Sequence, residues 1–205
     1  MASLHAIQEI LNDPVIKCKQ AKDVCWLSHD NAIKAIIRSL PSLLVSLDRE
    51  SSENAEPTAH VLYKFMSCYK FVACAYLLSD VLPHLSRLSR IFQKENVDLS
   101  LIQPCLKTTI DTIKKYQHTP GPNLSKVDHV LATDLKDFQI EATSTQKEAF
   151  KSSIQVLYIQ AIVDQLHDRF PHVELLDAFS IFDPHTLPSG EEDLASYGQE
   201  KLVHS

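Results

Sequence analysis

Phe71 to Phe92 reads FVACAYLLSDVLPHLSRLSRIF, and this stretch decides the fold. Phe71, Val72, Ala75, Tyr76, Leu78, Leu82, Leu85, Leu88 and Phe92 recur at helical spacing over a wide arc. A helix that is apolar over so wide an arc belongs at the centre of a bundle, with neighbours on several sides. Pro83 lacks the backbone N–H that a helix interior uses, and is expected to kink it. Just upstream, His60 to Met66 is helical by the same pattern, so the two pieces form a helical hairpin or one interrupted helix.

Working outward, Trp26 and Ser28 open a leucine-rich segment in which Ser28 is placed to cap a helix through its hydroxyl. Ile33, Ile36, Ile37, Leu40, Leu43, Leu44 and Leu47 point inward from that helix. Pro41 is expected to bend or break it, and Ser51 to Pro57 reads as a polar loop. Upstream, Ala2 to Leu11 carries the pattern of a short helix ended by Asn12-Asp13-Pro14. Downstream, Asp98 or Ser100 caps a helix bearing Leu101, Ile102, Leu106, Ile110 and Ile113. Pro120-Gly121-Pro122 is the clearest breaker, and divides the chain into a helical subdomain at 1–120 and a second helical segment at 121–205. In the second segment Thr145-Gln146-Lys147-Glu148 has the form of a capping box. The helix it starts runs to about Phe170 with two apolar lines. One is Phe150, Ile154, Leu157 and Ala161; the other is Ile159, Val163, Leu166 and Phe170. Phe179 to Phe182 forms a compact apolar piece, and Tyr197 to Val203 begins a helix that the chain end cuts short.

Composition agrees with an all-α, irregular helical bundle. Three glycines in 205 residues leave few positions for the tight turns of a sheet-rich fold. They also leave no Gly-rich phosphate loop. Five cysteines at irregular spacing suggest no disulfide framework, and no apolar run approaches the ~20 residues of a membrane span. A reduced intracellular setting is the expectation.

Residues with chemical potential are few. Cys25 and His29 are four apart but make only half a zinc site, so no metal ligands and no cofactor are assigned. Asp128, Asp134 and Asp137 cluster in sequence and read as a solvated face rather than a metal-binding set. Cys68 and Cys74 read as small buried apolar groups. No nucleophile sits in a recognisable catalytic context, so no catalytic residue is assigned. With a net charge of −6 the chain shows no basic run. Its densest cationic stretch is Lys17, Lys19 and Lys22. Trp26, the single tryptophan, is either a core anchor or a stacking platform for an unpaired base.

Cys25-Trp26-Leu27-Ser28-His29 and the helix after it resemble the RWLSH segment of hAT-superfamily transposase-derived proteins, in particular the vertebrate group with zinc-finger names. The likeness continues through Tyr69 to Leu106 and Arg169 to Pro188, to Tyr197-Gly198, and so covers nearly the whole chain. It implies the all-helical insertion that interrupts an RNase H-like catalytic core. It also implies that the catalytic carboxylates lie outside this chain, which would then be a non-catalytic fragment with nuclear residence. The motif's tryptophan, which in active relatives supports a DNA hairpin intermediate, matches Trp26. Its preceding arginine is replaced by Cys25. Nucleic-acid contact would centre on Trp26, with Lys17, Lys19, Lys22 and Arg38 as phosphate contacts. A helical scaffold that binds a protein partner and not DNA is the alternative.

Overall fold

A computed structural model describes residues 26–93 and 99–171 and Tyr197. It is all-α, with no strand among those residues. The expected Ala2–Leu11 helix, Lys17, Lys19, Lys22, Cys25, the Asp98 cap, the Phe179–Phe182 piece and, apart from Tyr197, the last expected helix lie outside the described residues.

Helix α1 spans Trp26–Glu53. Ser28 is therefore inside the helix rather than at its cap. The helix also runs on through Pro41, which does not break it. A proline inside a helix costs ~3 kcal/mol or more, and here the buried Leu40 and Leu44 on either side of it pack into the core. The expected polar loop shrinks to Asn54, Ala55 and Glu56, with Ala55 in the left-handed region at φ 51°. Glu56 then caps α2, Pro57–Met66, its carboxylate accepting from the Thr58 N–H at 3.3 Å. Proline at the first position suits a helix start, where its missing N–H has no partner to lose.

After a 64° bend comes α3, Tyr69–Phe92. It is the central helix. Tyr69, Val72, Ala73, Leu77, Val81, Leu82, Leu85 and Leu88 are all buried in one core. Leu78, expected inward, is only half-buried, and the buried positions are its neighbours Leu77 and Val81. Helix α3 continues through Pro83 as α1 does through Pro41. Helix α4, Leu99–Lys115, adds Ile102, Leu106, Ile110 and Ile113 as the periodicity predicts.

The Pro120-Gly121-Pro122 breaker is docked against α3. Asp80, 3% exposed, accepts the backbone N–H groups of Asn123 and Leu124 at 2.9 Å each. Those bonds satisfy amides at the start of a 3-10 turn, Leu124–Lys126, that leads into α5, Val127–Ala132. One core then takes in Leu40 and Leu77 from before the breaker and Val127, Leu135 and Ile159 from after it.

Helix α6, Ser144–Phe150, starts from a capping box two residues earlier than expected. Thr143 and Gln146 form it, by bonds of 3.3 and 2.9 Å. Thr145 and Glu148 fit the same sequence pattern, so the local signal is degenerate. A π turn, Lys151–Gln155, links α6 to α7, Val156–Arg169. This turn overturns one of the two expected apolar lines. Ile159, Val163 and Leu166 are buried as expected, but Leu157 is 62% exposed and Ala161 is exposed too. A π turn holds an extra residue and shifts the phase of everything after it. The buried line becomes Phe150, Gln155, Ile159, Ile162, Val163 and Leu166.

Candidate nucleic-acid groove and the polar network behind it

Trp26 opens α1 and is half-buried, packed against the core while bordering an open groove of about 480 Å³. Leu85, Leu88, Ile162 and Leu166 make its floor. The rings of Phe92 and Phe170, which also line the groove, stack with centroids 5.1 Å apart and an interplanar angle of 16°. Gln93, Gln165 and Arg169 supply an exposed polar rim. Gln93 donates to the Ser89 hydroxyl at 3.1 Å. Both readings of Trp26 thus meet in one residue, part anchor and part exposed ring.

One turn on, Asp30 is 2% exposed and accepts from Lys34 at 2.8 Å. Its Oδ1 and the Ser86 hydroxyl are buried with no hydrogen-bond partner.

Arg38 does not join this groove. It is exposed, twelve residues along α1 from Trp26. At 1.5 Å and 100° per residue that is about 18 Å away and a third of a turn round the helix. It borders a separate depression with Pro41, Tyr76 and Asp134. The cation beside Trp26 is instead Arg169, from the far end of the described chain. No spacing in the sequence links Arg169 to Trp26, because the two meet only in the groove that residues of α1, α3 and α7 border together.

The acidic cluster does not form a metal site. Asp128 is ion-paired with Lys147 at 2.7 Å, and no group of three potential metal ligands occurs among the described residues. Cys68, Cys74 and Cys105 are free thiols and half-buried, so Cys68 and Cys74 are less enclosed than expected. Burial raises the pKa of the Cys74 thiol, which keeps it in the weakly nucleophilic protonated form.

Behind the groove a polar network ties α3, α4 and the π turn together. His84 Nε2 lies 3.2 Å from the Tyr116 hydroxyl. Gln155, 3% exposed in the π turn, donates to the Tyr116 carbonyl at 2.6 Å. Burial lowers the His84 pKa from its ordinary 6.5, although Asp80 one turn back pulls it up and Arg87 adds to the lowering. Between the folded value and 6.5 the unfolded chain binds more protons, so stability rises with pH across that window and falls as pH drops below 6.5. Burial also raises the Asp80 pKa above 3.8, against its three hydrogen bonds and His84. That term has the opposite sign: stability falls as pH rises from 3.8 through the folded value. His84→Gln is expected to remove the loss below 6.5 and leave the Asp80 term. Urea midpoints between pH 5 and 7 check this, and equal slopes for both proteins would refute it.

Compared with known proteins, the chain matches no family model, and no solved structure matches it significantly.

Proposed function

We propose that this chain is a non-catalytic helical fragment of hAT-transposase descent whose remaining activity is weak contact with nucleic acid. The observation that carries the reading is the Trp26 groove, bordered by a half-buried indole, a stacked aromatic pair and the exposed Arg169. Stacking of an unpaired base on an aromatic ring is worth ~1–3 kcal/mol. Arg169, which borders the groove with Trp26, supplies a phosphate-binding cation, while the residue before Trp26 in sequence is Cys25 where the motif has arginine. The lack of catalysis follows from the resemblance, which places the catalytic carboxylates outside these residues.

The test is the fluorescence of the single tryptophan during titration with a DNA hairpin carrying unpaired bases, at two salt concentrations. Saturable quenching that weakens with salt is expected. Trp26→Ala is expected to lose roughly 10- to 100-fold in affinity by gel shift, the equivalent of one stacked base. No quenching at either salt, from a protein that circular dichroism shows to be folded, overturns it.

A second reading is a protein-interaction scaffold. Val61, Leu62 and Phe65 on α2 are 65%, 43% and 61% exposed, an apolar face on a helix of ten residues. Binding of a protein partner that is abolished by Phe65→Ser, with no DNA binding, would favour it.

A further inference from the structure

Pro41 and Pro83 both lie inside helices, and each deprives the carbonyl four residues before it of its helical donor. The two orphaned carbonyls fare differently. That of Ser79, four before Pro83, accepts from Asn123 Nδ2 at 3.3 Å. That of Ile37, four before Pro41, accepts from no side chain among the described residues. Ile37 and Pro41 instead border together an open depression of about 370 Å³, which residues of α1, α3 and the end of α5 share. Its size is that of a small-molecule site. Leu40, Val130 and Leu135 give it an apolar wall, and Arg38, Tyr76 and Asp134 give it polar groups. Arg38 and Asp134 are exposed and of opposite charge, yet among the described residues neither is ion-paired, with the other or with any third group. Burial raises the Tyr76 pKa, and the nearby Asp134 charge adds to the rise.

We infer that this depression binds a free α-amino acid with an apolar side chain, its carboxylate on Arg38, its ammonium on Asp134 and the Ile37 carbonyl, and its side chain against the apolar wall. Charge is the first reason. A simple anion entering here would meet Asp134, and a simple cation would meet Arg38, so a ligand carrying both charges suits both. The orphaned carbonyl is the second. It lacks an N–H donor, and an ammonium supplies three. One of them replaces the bond that Pro41 removes while another reaches Asp134. On the opposite side, a guanidinium takes a carboxylate in two parallel bonds. The site is independent of the Trp26 groove, which none of these residues borders.

Titration calorimetry of the full chain with L-leucine and L-phenylalanine, up to millimolar concentration, tests the inference. Both are expected to bind. Isoamylamine, which lacks the carboxylate, and N-acetyl-leucine, which lacks the ammonium, should bind at least ~10-fold more weakly, the scale of one lost charge-assisted hydrogen bond. Arg38→Gln and Asp134→Asn change exposed residues and should leave the fold intact while weakening L-leucine by the same order. Pro41→Ala gives Ile37 its helical donor back. It should raise the melting temperature, because alanine is the better helix former, and weaken L-leucine roughly 10-fold. A proline with only a structural role would show the first change without the second. No binding of either amino acid, or equal binding of the amine or the N-acetyl acid, overturns the assignment. Leucinamide binding as tightly as L-leucine would move the occupant to a peptide N-terminus and overturn it as well. Wild-type affinity in all three variants would place the binding elsewhere, with the same consequence.

Discussion

Gly121→Ala is expected to lower stability by ~3–5 kcal/mol, more than any surface change in this protein. Gly121 is buried between two prolines, and a methyl group added there would lie 2.9 Å from the Asp80 Cβ and closer still to its carboxylate. Overpacking of this kind costs ~1–3 kcal/mol. Asp80 cannot yield without releasing the Asn123 and Leu124 amides it accepts at 2.9 Å. Leaving such a buried group unsatisfied costs a further ~1–3 kcal/mol. At ~2–4 °C per kcal/mol for a chain of this size, the melting temperature should fall by roughly 6–20 °C. Asp80→Ala removes the carboxylate, the nearer part of the obstacle, as well as the acceptor. The double variant should therefore lose less than the two single losses added together, as residues in contact do. Additive losses, measured by urea denaturation, would show that Gly121 and Asp80 do not meet.

The same contact shows where sequence reading stops. The proline-glycine-proline run marks a helix break on local grounds alone. What it cannot disclose is a carboxylate at Asp80, about 40 residues earlier, that turns the break into a docked joint. The all-α class was legible because it rests on sums over the chain: three glycines, long apolar periodicity, and a central helix apolar over a wide arc. Trp26 was legible as a single conspicuous residue. Its partners were not. Arg169, Phe170 and Gln165 lie some 140 residues away and share a groove with Trp26 only through the tertiary fold. The break that Pro41 could have made does not occur, and both Pro41 and Pro83 lie inside continuous helices, since a local penalty of a few kcal/mol yields to burial of the leucines around it.

Ile159→Ala and Leu157→Ala should separate the observed helix register from the one that unbroken α-helical periodicity predicts. If α6 and α7 were one regular helix, Phe150 and Leu157, seven residues apart, would share a face. Phe150 and Ile159, nine apart, would be on opposite faces at 100° per residue. The π turn at Lys151–Gln155 takes up one additional residue and turns Ile159 by about 100°, from the face opposite Phe150 towards the buried side. Ile159 is fully buried, so its truncation should cost ~2–5 kcal/mol. Leu157 is 62% exposed, and its truncation should stay within about 0.5 kcal/mol. The turn is held by Gln155, whose side-chain amide reaches the Tyr116 carbonyl at 2.6 Å. Gln155→Leu keeps the bulk but leaves that carbonyl without its donor, at a cost of ~1–3 kcal/mol. A comparable loss at Leu157 and none at Ile159 would mean that the helix is regular and that the floor of the Trp26 groove, built on Ile162 and Leu166, is set by a different register. The opposite ranking ties the groove to the π turn, because the residues that form its floor reach α3 only through the phase shift that turn provides.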